Sequence, residues 1–488
     1  MERLKMKKNL KEKTVKGLAW SSVNNVLQQL LNLLFGIVLA RLLSPADYGM
    51  VGMLMIFSLL AGALQESGFT AALINQKKES HRDYNAVFWF CLLAGIGLYA
   101  VLFLCAPLIA DFYHQPELVS LSRYAFMSFV IGNLGIVPNA ILMKQLKVKQ
   151  NALVQLTALA LSGGVGIIMA WAGMAYWGLT TQNVIYATVV MTGRWLCCKW
   201  CPTLRIDLTP LKKMMGFSIK VLAANMVTHI NNNILTVLLG RIYTPREVGN
   251  FNQANKWNSM GYYTIQSIMG SVTQPVLHEV EEDCQRQLHV FRKMLRFLSF
   301  IAMPCMLGLS GIATELITLT ITDKWADCAR LMQIVCIGGA FIPLHNLMYN
   351  LNLSRGRSDV CLWCTLAFGL VQLLSITVCR TRGIEVMVWV FTVVNVFWAL
   401  PWWYLVRRLI GLTLREFLAD VLPYTVIAGL SVLVACQVAS LADGLMVVLA
   451  VKIVVAAILY FAILWLTGAR TLRESIELLP LLVRKRRS

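Results

Sequence analysis

The 488-residue chain is 58% hydrophobic and 14% charged, with a formal net charge of +20 at pH 7. Soluble domains carry about a quarter of their residues as charged side chains, so this composition excludes a soluble enzyme or receptor and indicates a membrane protein. A span needs about 20 apolar residues of helix to cross a hydrocarbon layer of about 30 Å. The apolar runs are long and continuous rather than alternating, which predicts helices and not a barrel.

In chain order, spans are expected near 17–39, 47–66, 86–110, 118–140, 152–173, 175–193, 214–239, 247–274, 294–313, 328–350, 360–379, 384–406, 419–440 and 445–467. The chain is therefore read as an all-α polytopic protein of about 14 transmembrane helices. The first run is long and lacks a small-residue cleavage site, so it is expected to remain a span rather than a signal peptide.

With the amino terminus in the cytoplasm, 33 of the 44 Lys and Arg fall in inward-facing segments, 8 in outer connections and their edges, Arg123 among them, and 3 within spans. This bias predicts cytoplasmic placement of both termini. Membrane lipids with anionic headgroups account for the basic stretches MKKNLKEKTVK and VRKRRS, and no nucleic acid partner is expected. The connections are short, the longest inner one, 194–213, reading as little more than a linker, so there is no room for a catalytic domain.

The thirteen cysteines lie mostly in spans or inner connections, which argues against a disulfide framework. Cys197, Cys198 and Cys201 lack a second ligand pair, so free thiols rather than a metal site are expected. No glycine loop for a nucleotide is present, and no cofactor is expected.

One stretch is written twice. LARLLSPADYG at 39–49 returns 200 residues later as LGRIYTPREVG at 239–249, with eight of eleven positions agreeing in kind. Ser44 and Thr244 suit an N-cap, Pro45 and Pro245 the first helical position, and Asp47 and Glu247 the acid of a capping box. Capping does not require Arg41 or Arg241, which are expected at the outer mouth, pinning the turn or meeting a phosphate. Six spans separate the copies, so the halves share one orientation, as repeats related by an axis along the membrane normal do. The expected organisation is an N-terminal lobe at 1–200, a C-terminal lobe at 201–410, and two additional helices with a basic tail at 411–488. The two like-oriented six-helix lobes are expected to enclose a central cavity.

The stretches ARLLSPADYG at 40–49, GFTAALINQKKESHRDYNAVFWF at 68–90 and IVPNAILMKQLKVKQN at 136–151 resemble the Wzx-type polysaccharide flippases, especially the colanic acid branch, of the multidrug, oligosaccharidyl-lipid and polysaccharide exporter superfamily. The resemblance covers nearly the whole chain. It implies a fourteen-helix, two-lobe transporter and a lipid-linked oligosaccharide on undecaprenyl diphosphate as cargo, flipped to the periplasmic leaflet of the bacterial inner membrane. It also implies a proton or sodium ion as coupling partner, and other polysaccharide assembly proteins as neighbours.

A charge at mid-bilayer costs at least about 2.5 to 3.5 kcal/mol, so polar groups inside spans should face a cavity or a partner. Asn25 and Gln28 share a face of the first span, and Asn225, His229 and Asn232 a face of the seventh. In the eighth, Asn252, Lys256, Ser259, Tyr263 and Gln266 form a stripe. These three helices are expected to line the cavity, with Lys256 as the leading substrate-facing cation. Lys220 stands nearer the inner end of its helix and suits either substrate contact or snorkelling. Glu66 is the candidate ion-coupling carboxylate, and Pro304 and Pro343 are hinge candidates. The alternatives within this reading are a cation-coupled multidrug exporter, which would favour an acidic cavity, and a membrane-embedded polymerase or ligase, which would need a long outer loop.

Overall fold

The repeated stretch folds as its chemistry requires. Helix α1 (Val26–Leu42) ends within it, and α2 (Pro45–Gln65) begins on the proline itself. Ser44 N–H donates to Asp47 Oδ2 at 2.9 Å while Asp47 N–H donates back to Ser44 Oγ at 3.3 Å, a reciprocal capping box. The second copy repeats it. The Thr244 N–H donates to Glu247 Oε2 at 2.9 Å, and the Glu247 N–H to Thr244 Oγ1 at 3.4 Å, where Pro245 opens another helix.

A computed structural model describes residues 20, 24, 26–65, 73, 80–204, 207, 209, 211, 226, 233 and 235–468. Every regular element among them is helical. After α2 come α3 (His81–Tyr113), α4 (Leu118–Lys144), α5 (Val148–Trp171), α6 (Ala175–Cys197), α7 (235–242) and α8 (Pro245–Glu279). Then follow α9 (Cys284–Gly311), α10 (Ala313–Ile321), α11 (Asp323–Ser354), α12 (Ser358–Cys379), α13 (Ile384–Ile410), α14 (Leu414–Ala439) and α15 (Leu445–Leu466). Nine helices among the described residues are long and apolar enough to cross a bilayer. The chain divides into two units, Met1–Gly249 and Asn250–Ser488.

In the first unit α5 and α6 form the tightest pair, because small residues let the backbones close. A Cβ on Gly178 would lie 3.2 Å from the Gly166 carbonyl oxygen. The basic end of this unit is closed by a core of Phe88, Val137, Ile141 and Leu211, with Trp89, Trp195 and Trp200 packed against it. Here the expectation of a mere linker at 194–213 is corrected: its described residues are pinned to α3. The Trp89 indole donates to Thr203 O at 2.8 Å, the Thr203 N–H donates to Asn85 Oδ1 at 2.8 Å, and Arg82 pairs with Asp207. The sequence shows only that this segment is short and polar, whereas its tryptophans and amide partners meet through the fold.

The second unit sets α9 against α11 and α14, and α13 against α11 and α12. Helix α11 breaks after Gly339 and restarts at Ile342 with Pro343 in its first turn. The buried Asn258 of α8 fills the notch, since a Cβ on Gly339 would stand 2.0 Å from its Oδ1. Helix α14 docks through ions: Arg292 of α9 pairs with Glu416 at 2.6 Å and with the buried Asp420 at 2.7 Å. Lys452 of α15 pairs with Glu315 of α10 at 2.8 Å and donates to Gly311 O at 3.0 Å. All thirteen cysteines are free, with Cys201, Cys284 and Cys305 exposed.

Candidate functional site

Helix α8 is the most polar of the long helices, and its burial is sided. Phe251, Ala254, Ile265 and Leu277 are buried, together with Asn250, Gln253 and Asn258. The predicted stripe lies on the other side: Lys256 and Tyr263 are exposed, and Asn252, Ser259 and Gln266 are half-buried. No carboxylate among the described residues pairs with Lys256. The rings of Tyr262 and Tyr263 stand 4.6 Å apart, and Ser259 Oγ donates to Tyr262 OH at 3.2 Å, which fixes the aromatic step in the stripe.

Two turns beyond Lys256, about 10 Å along the axis, the stripe enters a cleft of about 330 Å³. Tyr263, Gln266, Ser267 and Thr273 of α8 form one wall, and Pro343, Asn346 and Asn350 of the restarted half of α11 form the other. Leu298 and Leu347 supply its apolar lining. Asn346 and Asn350 are one turn apart, and Asn350 Nδ2 donates to Asn346 O at 2.8 Å. Side-chain amides, hydroxyls and an aromatic face lining one cleft suit a polyhydroxylated ligand, and a nearby ammonium suits an anionic one.

The first unit places Gln28 in a different setting. Its Nε2 donates to Gln155 Oε1 of α5 at 2.7 Å, and Asn24 Nδ2 donates to the same oxygen at 3.1 Å. One turn along α5, Asn151 Oδ1 accepts from Arg194 Nε at 3.2 Å, and Asn151 Nδ2 donates to Asn139 Oδ1 at 3.4 Å. These amides tie α1, α4, α5 and α6 together, the packing use of polar side chains in membranes.

The two motif arginines are both exposed, Arg41 at the end of α1 and Arg241 at the end of α7. Arg241 pins a helix end: its Nη1 donates to the carbonyls of Phe112 and, at 3.4 Å, Asp111, and its guanidinium lies 5.2 Å from the Phe112 ring centre. A cation on the last carbonyls of α3 also answers that helix's dipole. Asn25, Glu66, Lys220, Asn225, His229 and Asn232 lie outside the described residues. The structure thus brings together Asn252, Lys256 and Tyr263 on one face of α8. Sequence reasoning missed Asn346 and Asn350; their spacing of four was the available signal.

Long apolar helices, a long helix with a polar face and an amide-lined cleft are the features of a multi-pass membrane transport protein. The comparisons agree. The lipid II flippase MurJ, in an inward closed conformation, matches with a TM-score of 0.72 at 13% identity, over 94% of this chain and 99% of that one. The teichuronic acid biosynthesis protein TuaB of Bacillus subtilis is 22% identical over 435 residues, 87% of this chain and 89% of that protein. The lipopolysaccharide biosynthesis protein WzxC of Escherichia coli is 23% identical over 358 residues, 72% of each chain. The profile of the family described as "Polysaccharide biosynthesis protein" matches residues 38–330, and the chain belongs to that family.

Proposed function

We propose that this protein carries lipid-linked oligosaccharide repeat units from the cytoplasmic to the periplasmic leaflet of a bacterial inner membrane. The cargo rides on undecaprenyl diphosphate, the sugars pass through the polar interior, and the prenyl tail stays in lipid. Two like-oriented six-helix lobes, with two further helices behind them, alternate access to the cargo. Both termini are cytoplasmic, and Glu66 carries the coupling proton or sodium ion.

The observation that carries this reading is the exposed Lys256, without an acidic partner among the described residues, on the α8 face that leads into the amide-lined cleft. Lys256 meets the diphosphate, and Asn252, Tyr263, Gln266, Asn346 and Asn350 meet sugar hydroxyls and faces. Arg41, Lys220, Asn225, His229, Asn232 and Asn25 line the path in the same reading. The chemistry requires no bond to be made or broken, so no enzymatic step is assigned.

The test is a strain lacking this gene and any redundant flippase. Its lipid-linked repeat units should remain accessible only from the cytoplasmic side, and Lys256→Ala at normal surface level should flip them at a tenth of the wild-type rate or less, the loss expected of one charge-assisted contact, about 1.5 to 3 kcal/mol. Normal arrival of repeat units in the outer leaflet of the deletion strain sinks the assignment. Full activity of Lys256→Ala removes that residue from the site.

A further inference from the structure

Pro107 lies inside α3 and has no N–H, so the carbonyl of Phe103, four residues earlier, lacks its helical donor. Arg123 of α4 replaces it. Its Nε donates to Phe103 O over 3.5 Å, and its guanidinium carbon stands 4.2 Å from the centre of the Phe103 ring. Phe103 is ten residues before the end of α3, about 15 Å along the axis. The guanidinium is therefore drawn toward the spanning part of the helix rather than out past its end. No carboxylate among the described residues pairs with it.

Among the described residues Nε alone is committed, which leaves the four N–H bonds of the two Nη groups, and Arg123 lines a hollow of about 440 Å³ together with Tyr99, Ser120, Tyr124 and Met127. The lining is braced: Tyr124 OH donates to Thr181 Oγ1 at 3.2 Å, and its ring stands 5.7 Å from Trp177. A cation in a spanning segment without an acidic partner calls for an anion. A guanidinium fork with both Nη groups free matches two oxygens of one phosphoryl group.

We propose that this hollow binds the phosphoryl oxyanion of a membrane amphiphile, with Arg123 as the anchoring residue. The ligand is either an ordinary phospholipid of the bilayer or an isoprenoid diphosphate, which present the same oxygens to the fork. The inference stands apart from the transport reading, since it requires only that the unit is embedded in lipid.

The test is native mass spectrometry of the full chain in an uncharged, phosphate-free glycoside detergent, given in turn phosphatidylglycerol, undecaprenyl diphosphate or uncharged diacylglycerol. Wild type should retain one of the two anionic probes at least about tenfold over diacylglycerol, and the preferred probe names the source. Arg123→Gln should abolish the preference, and Arg123→Lys, which keeps the charge without the fork, should retain part of it. Because Arg123→Gln also leaves Phe103 O without a donor, the double variant Pro107→Ala/Arg123→Gln separates fold from binding. Replacing the proline restores the helical N–H, so this variant should melt like wild type and still show no preference. Equal retention of diacylglycerol by wild type, or a wild-type preference in either Gln variant, overturns the proposal.

Discussion

Gly49 and Pro245, 196 residues apart in the chain, stand so close that a Cβ on the glycine would fall 1.7 Å from the proline's carbonyl oxygen. The relation is reciprocal, since a Cβ on Gly249 would fall 1.7 Å from the carbonyl oxygen of Pro45. Each copy of the repeated turn seats its glycine on the first residue of the other copy's helix. Alanine is the better helix former by about 1 kcal/mol, so on propensity alone Gly49→Ala and Gly249→Ala should stabilise. The contact predicts the opposite: each variant lowers the melting temperature, and spin labels at Ala46 and Arg246 move apart. A melting temperature at or above wild type with unchanged label distance refutes it.

Lys452 and Glu315 form an ion pair whose side chains are 14% and 10% exposed. Removing one partner leaves a charge in a dry site, which costs about 3 to 5 kcal/mol, whereas replacing both by apolar residues of similar volume is often neutral. Lys452→Met and Glu315→Leu should therefore each lower thermal stability markedly, and the double variant should recover most of the loss. Additive losses in the double-mutant cycle would show that the two do not act as a pair.

The Asp207 carboxyl titrates below its usual value of 3.8, held down first by the side-chain and backbone hydrogen bonds of Thr209 and then by Arg82. A depressed carboxylate stabilises the folded segment fully above the unfolded value, and the contribution is lost as pH falls through the folded one. The pinning of Thr203 and Asp207 onto α3 should thus be constant from pH 7 to about pH 5 and weaken below about pH 4. Trp89 and Trp200 fluorescence in detergent would report the release, and Asp207→Asn should remove that pH step. A step of equal size in Asp207→Asn assigns the transition to another group.

Local chemistry was the most legible part of the sequence. Ser44, Pro45 and Asp47 specify a helix start through contacts within four residues, and the same holds for Thr244, Pro245 and Glu247. The stripe from Asn252 to Gln266 was legible because a period of 3.6 in polar residues survives any tertiary arrangement. Asn350 was not, because its meaning comes from Tyr263 across a cleft and some ninety residues away in the chain. Arg123 read as an edge-of-loop cation for the same reason: nothing near it in sequence says that Pro107 has orphaned a carbonyl on the neighbouring helix. Gln28 lay on a polar face as expected, yet its partner Gln155 turns that face to helix packing.

The exposed thiols make the chain a reporter of its own sidedness. Cys201 sits in the connection after α6 and Cys284 opens α9, both on the side that the proposed topology puts in the cytoplasm, and Cys305 lies within a span, where an aqueous maleimide does not reach the thiolate it needs. Intact cells treated with a charged, impermeant maleimide should leave Cys201 and Cys284 unmodified, and inverted vesicles should take up label at both without a single engineered residue.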